Sequence, residues 1–203
     1  MTIASLLSKL GRRTPLFVTV AGQVIGAADV VKADGEFRHP NHGRVTSVAK
    51  HAFHDGDDPI PTEVVNAWWI NDPSALETER NNMALAFPGF TEVTTDGRPG
   101  WTGEIDTGRG KHWIELVHRR DHGLPSVEVL SARRLERRAG RRFVRSPHLF
   151  TSGKLCVAYA DDWNADEHDA VTVVAWAAHW LAAYSEWRFT SKWPSEGAAV
   201  EAA

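Results

Sequence analysis

Cysteine is nearly absent from this chain: 203 residues hold one, Cys156. A lone thiol closes no internal disulfide, which excludes a disulfide scaffold and fits a reducing compartment. Charge of one sign is lacking too. Lys and Arg number 23 against 26 Asp and Glu, a formal net charge of -3, so no global basic field argues for nucleic acid. No apolar run reaches the roughly eighteen residues of a membrane span. A secretory leader is not expected either. Lys9, Arg12 and Arg13 precede Leu16 to Val20, and Ala27-Ala28 imitates a cleavage site. Yet Thr19, Gly22 and Gln23 interrupt the apolar stretch, and the basic residues come late. The cytoplasm is the expected location. What the chain does have is apolar payload: 42% hydrophobic residues and nine tryptophans, enough to bury the core of one ordinary domain.

Residues 1–72 read differently from the rest. Ile3, Leu6, Leu7 and Leu10 have helical spacing, with Gly11 as a stop. Phe17 to Val20 and Val24 to Ala27 are strand-like around Ala21-Gly22. His39 to Pro61 is polar and loop-rich, and is expected to pack on a larger domain or remain partly mobile. Asp72 then reads as an N-cap with Pro73 at the first helical position. Leu76, Met83, Ala84 and Phe87 make an apolar stripe that Pro88-Gly89 ends. Strand candidates follow at Gly100 to Asp106, Lys111 to His118 and Val127 to Leu130, punctuated by Gly97, Pro99, Gly108, Gly110, Gly123 and Pro125. Short turns between them suggest an antiparallel meander. From Asp169 to Trp187 the pattern is apolar nearly all round, so a helix there must be covered on most sides. Helix, meander, loop and helix make an α+β layout.

Two polar clusters stand out. Arg133, Arg134, Arg137, Arg138, Arg141 and Arg142 form either a solvated surface or a contact for an acidic partner. A nucleic-acid site would also want stacking aromatics, and only Phe143 is near. His39, His42, His51 and His54, beside Asp55, Asp57 and Asp58, offer two His-x-x-His pairs. They match no trusted zinc spacing, and a glycine-rich polar loop explains them better. No metal or cofactor is expected.

Cys156 follows Ser146-Pro147-His148-Leu149-Phe150-Thr151-Ser152-Gly153-Lys154-Leu155. One reading is a small buried hydrophobe. The other is a thiol on a shaped loop that carries an acyl group, in which case its thiolate is the nucleophile. His148 would then donate to a tetrahedral oxyanion or act as the general base; alternatively it bonds only its own loop backbone. Asp161 and Asp162 either orient an incoming amine or form an exposed acidic loop capping the last helix. Asn164 is a weaker hydrogen-bonding candidate, and Trp163 reads as a packing anchor.

From about residue 73 to 193 the chain resembles the ubiquitin-conjugating enzyme fold, and in particular the bacterial conjugating-enzyme-like proteins of CBASS anti-phage operons. Eukaryotic members carry His-Pro-Asn before the cysteine, with the asparagine eight residues before it and a glycine three before. Here His148 and Gly153 hold those positions, and Ser146-Pro147-His148 stands where His-Pro-Asn would. Trp163 matches the tryptophan after the family cysteine, and Tyr184 to Trp193 is similar to the tail of the bacterial group. His39-Pro40-Asn41 is a decoy, because the position eight after Asn41 is Ala49.

The resemblance implies an N-terminal helix, a four-stranded antiparallel meander, a cysteine loop and a C-terminal helix over 73–193. Residues 1–72 would be an extension and 194–203 a flexible tail. It implies a Cys156 thioester with the C-terminus of a partner protein, a nucleotidyltransferase or a ubiquitin-like protein, transferred to an amine after activation elsewhere. His148 replaces the oxyanion asparagine, a departure from the eukaryotic pattern. Two other readings stay open: an inactive binding module for such a partner, and a cysteine hydrolase with its His held by Asn or Asp.

Overall fold

The computed structural model describes residues 14–130, 134–200 and 202. The helix expected at Ile3 to Leu10, and Arg133, lie outside the described residues. The chain opens with β1 (Leu16–Thr19), β2 (Val24–Gly26), β3 (Val31–Ala33), β4 (Glu36–His39), β5 (Gly43–Ser47) and β6 (His51–Ala52). The helices α1 (Trp68–Asn71) and α2 (Pro73–Ala86) follow, then β7 (Thr91–Thr95), β8 (Arg98–Asp106), β9 (Lys111–Val117) and β10 (Ser126–Val129). The chain closes with β11 (Glu136–Ala139), β12 (Arg142–Arg145), a 3-10 turn (Ala160–Asp162), α3 (Ala170–Thr190) and β13 (Gly197–Ala198). The architecture is α+β, with antiparallel pairing throughout the named strands.

The α2 start is local chemistry. The Asp72 carboxylate accepts from the N–H groups of Ser74 and Ala75, both at 3.1 Å, and Pro73 begins the first turn. Leu76, Met83 and Phe87 are buried as their spacing predicts, but Ala84 is exposed. Glu79 takes a buried place on the helix instead, with His118 Nε2 2.8 Å from its carboxylate.

The meander is the four-stranded sheet β10-β9-β8-β7. Its edge strand β7 is the fourth strand that the resemblance implies and the residue pattern does not locate, since Thr91-Glu92-Val93-Thr94-Thr95 carries little apolar signal and lies mostly exposed. A second, five-stranded sheet has the order β2-β1-β5-β4-β3. Both sheets use an Asp-Gly hairpin turn, Asp96-Gly97 (φ 52 and 71) and Asp34-Gly35 (φ 53 and 80), the left-handed pair that a two-residue turn requires.

Helix α3 organises the molecule. Every residue from Val173 to Trp187 is buried. It packs against β9 of the meander, against β1, β2 and β5 of the N-terminal sheet, and against α2. The all-round apolar pattern is therefore satisfied by two sheets rather than one. The N-terminal strands are part of the main core: Leu16, Val18, Val24, Val48, Ala49 and Phe53 join Trp176, Trp180 and Leu181 in one cluster. Two of the helix's polar side chains find partners, Ser185 Oγ 3.1 Å from Thr107 Oγ1 and the Glu186 carboxylate 2.7 Å from Arg109, whereas His179 Nε2 is buried without one. Among the described residues no helix is long and apolar enough to cross a membrane.

Where a flexible tail is expected at 194–203, Gly197–Ala198 pairs antiparallel with His51–Ala52. Ala198 is buried there, and apolar burial plus the ladder bonds hold Gly197–Ala198 down.

Candidate functional site

The cysteine loop is a small closed hairpin. Leu149 and Leu155 form an antiparallel bridge. The Cys156 N–H donates to the His148 carbonyl at 3.1 Å, and the Phe150 N–H to the Lys154 carbonyl at 3.0 Å. Gly153, at φ 92, makes the turn and donates to Phe150 O at 2.8 Å. The eight-residue spacing of His148 and Cys156 is thus a pairing register, which sets the two opposite each other. The Leu155 N–H donates to Val127 O at 2.9 Å and ties the loop to the meander edge.

His148 is 8% exposed and its backbone is left-handed, at φ 56. That conformation costs a residue with a Cβ about 1 kcal/mol and is held by three bonds. The carbonyl accepts from Cys156 and from Trp180 Nε1, at 3.1 and 2.9 Å, and the N–H donates to Asp55 Oδ1 at 2.6 Å. Its ring lies beside Phe53 and Trp193, with centroids 5.8 and 4.9 Å away. Nδ1 is 4.0 Å from Asp55 Oδ2, and Nε2 is 3.7 Å from Glu196 Oε2. Nδ1 is buried without a hydrogen-bond partner in the protein.

Cys156 is 0% exposed. Burial pushes its thiol up to about 12, and the nearby carboxylates of Asp55 and Asp58 push the same way. Sγ lies 3.8 Å from Ala158 O. At rest this is a neutral, covered sulfur.

The N-terminal region lies along the same loop, with the His54 backbone next to the thiol. Phe53 N donates to Glu196 O at 2.8 Å, and His54 stacks on Tyr159 at 4.1 Å and meets Phe150 edge-on. Asp55 takes the His148 N–H; Gly56 forms a parallel bridge with Phe150 and accepts from Thr151 N at 3.0 Å. Asp57 accepts from Thr151 Oγ1 at 2.9 Å, and Asp58 from Ser152 Oγ at 2.7 Å and Ser152 N at 3.2 Å. Arg119 then holds the carbonyls of Pro59 and Ile60, and Asp121 accepts from Thr62 N at 2.6 Å. Sequence reasoning saw Asp55, Asp57 and Asp58 only as neighbours of a histidine cluster. A run of acids next to a Thr-Ser-Gly loop becomes a signal only when both are known to meet.

The other expected residues fall as follows. Asp161 is exposed in the 3-10 turn. Asp162 accepts from Ala52 N at 2.8 Å and Tyr159 N at 3.2 Å, so its carboxylate joins β6 to that turn. Neither caps α3: the cap is Asp169, which accepts from Thr172 N at 3.1 Å. Trp163 Nε1 donates to His122 O at 2.9 Å and fixes its loop against the β9–β10 connection. Asn164 Oδ1 accepts from Asp166 N in a local turn. Arg137, Arg138, Arg141 and Arg142 lie on the β11–β12 hairpin, where Phe143 is 70% exposed and the Arg137 guanidinium lies over Trp187.

The four N-terminal histidines separate. His39 and His42 pair on the surface, His54 sits on Tyr159, and His51 is buried. Among the described residues no group of three His, Cys, Asp or Glu is set to hold a metal ion. His51 instead meets His179 of α3. Its Nδ1 is 2.8 Å from Ala49 O and its Nε2 is 3.2 Å from His179 Nδ1. Burial pushes His51 down to about 4 and His179 well below its usual value. Trp176 Nε1 also reaches Ala49 O, at 3.0 Å. One turn later, Trp180 Nε1 holds His148.

No curated protein and no solved structure matches the chain. A family model described as Type II CBASS E2 protein matches residues 79–200, a span that includes the hairpin, Cys156 and all of α3. That is more than half of the sequence, and the chain belongs to the Type II CBASS E2 protein family.

Proposed function

We propose that the chain carries an acyl group on Cys156 as a thioester with the C-terminus of a partner protein, and delivers it to an amine. Family membership gives it an E2-like role in CBASS anti-phage defence. The observation that carries the mechanism is the hairpin register, which sets His148 directly across from Cys156. The sulfur attacks an activated carbonyl, the S–C bond forms, and the thiol proton leaves with the departing group. His148, held in a left-handed backbone by three bonds, supplies a donor to the oxyanion or takes the proton. In the second step the amine attacks, the C–N bond forms as the C–S bond breaks, and the amine proton passes to the departing sulfur, which restores the neutral thiol. Asp161 is the exposed carboxylate available to orient that amine, while Asp162 steadies the turn it stands on.

The partner is a nucleotidyltransferase or a ubiquitin-like protein, with an activating enzyme upstream. Because the resting thiol is neutral and covered, thioester formation needs its surroundings to open, and residues 53–58, bonded along the loop, are the segment this reading has move. The same burial favours a second reading, a docking module that binds the partner without chemistry. It argues against a hydrolase, which needs a water-accessible acyl site.

The test is intact mass and non-reducing electrophoresis after co-expression with an operon nucleotidyltransferase, for wild type, Cys156→Ala and Cys156→Ser. An adduct that requires Cys156, is cleaved by thiol and becomes a stable ester in the serine variant is expected. Co-purification without an adduct, indifferent to Cys156, would favour the docking module.

A further inference from the structure

The contacts over the cysteine loop have the form of a bound peptide. Residues 53–58 run beside the hairpin, with Gly56 bridged in parallel to Phe150. Three carboxylates meet donors on the loop: Asp55 the His148 N–H, Asp57 the Thr151 hydroxyl, Asp58 the N–H and hydroxyl of Ser152. Asp55 and Asp57 remain exposed, so burial of their own side chains does not explain the contact. Directly beneath, Cys156 is sealed. The same segment brings the His54 backbone and the Asp55 and Asp58 carboxylates close to the thiol.

We propose that the rim of the cysteine loop, from His148 to Ser152, is a binding strip for an extended, acidic peptide segment of the partner, and that residues 53–58 occupy it until the partner displaces them. The inference rests on the reading of Cys156 as the acyl carrier, and it names the chemistry of the segment that site accepts. The strip offers backbone N–H groups and hydroxyls spaced along an extended backbone, and its resident ligand has the pattern Asp-Gly-Asp-Asp. A neutral tail would meet those donors with weaker acceptors than the resident carboxylates, and a basic side chain would offer them none.

The experiment uses the full chain and iodoacetamide, with intact mass as the readout; one cysteine makes the adduct unambiguous. Wild type is compared with a variant carrying Asp55→Asn, Asp57→Asn and Asp58→Asn. Alkylation proceeds through the opened form, so weakening the latch is expected to raise the rate about tenfold or more. A synthetic peptide with the sequence of residues 53–60, added to this variant, should slow alkylation back towards wild type. The same peptide with its three aspartates replaced by asparagine should not. A variant from the loop side, Thr151→Val with Ser152→Ala, reads the same latch and replaces the triple variant if circular dichroism finds that one unfolded. An unchanged rate in a folded variant overturns the proposal, as does equal protection by the two peptides. Faster alkylation and peptide protection with no thioester in any variant would instead retain the strip and sink the acyl-carrier reading.

Discussion

The buried pair of His51 and His179 makes acid stability a direct test of the core. His51 Nδ1 donates to Ala49 O at 2.8 Å, which leaves Nε2 a lone pair that accepts the Nδ1–H of His179 at 3.2 Å. Burial of both rings favours these neutral forms. His51 is held down to about 4 from 6.5 by burial, against smaller upward pulls from Ala49 O and Asp162. The unfolded chain protonates His51 near 6.5, so below that pH it binds more protons than the fold does. Stability from this source is complete above pH 6.5, falls as pH drops towards 4, and then levels off. At 1.36 kcal/mol per pKa unit, His51 alone loses about 2 kcal/mol by pH 5 and about 3 kcal/mol by pH 4. His179, also pushed down by burial, adds loss of the same sign. That is a large share of a typical domain stability of about 5–15 kcal/mol. The assay is the urea midpoint at several pH values from 7.5 to 4, for wild type and for His51→Phe with His179→Leu. Carboxylates are common to both proteins, so the difference in slope isolates the histidines. Identical slopes from pH 6.5 to 4.5, or nitrogen chemical shifts of an imidazolium at pH 6 in the native state, would refute the reasoning.

Asp169→Ala removes the α3 cap and the acceptor for Asn82 Nδ2, and should lower urea stability by about 1–2 kcal/mol. Glu79→Ala strands a buried His118 and should cost about 3 kcal/mol, whereas Glu79→Leu with His118→Leu should recover much of it in the same melts. Gly100→Ala drives a Cβ into the Leu116 carbonyl in the middle of the meander; a loss of about 3 kcal/mol is expected, read as a lower thermal midpoint.

Much of the second half was legible because its signals are local. Asp72-Pro73 starts α2 through side-chain bonds to its own first turn, and the apolar residues of α3 announce burial on all sides. Strand β7 escaped because an edge strand with exposed threonines has no apolar alternation, although Asp96-Gly97 marks a hairpin that needs a strand on each side. Asp34-Gly35 marks β3 and β4 in the same way. At the site, the spacing of His148 and Cys156 could be counted, but their covering could not. The bonds from Asp55 to His148 and from Asp58 to Ser152 join residues more than ninety positions apart, and nothing local in either segment specifies that meeting. The pairing of His51 with His179 is hidden for the same reason, and it dissolves the apparent histidine cluster.

Trp176 and Trp180 stand one turn apart on α3, and their indole N–H groups hold two carbonyls from distant parts of the chain, Ala49 and His148. The helix therefore works as a keyed shaft. Inserting or deleting one residue upstream of this pair within α3 would rotate both keys by about 100° relative to the helix start. The N-terminal sheet and the cysteine loop would lose their grip together. Phenylalanine at either position would keep most of the packing volume while removing one key, so variation along this helix is constrained by the indole nitrogens as well as by the fill of the core.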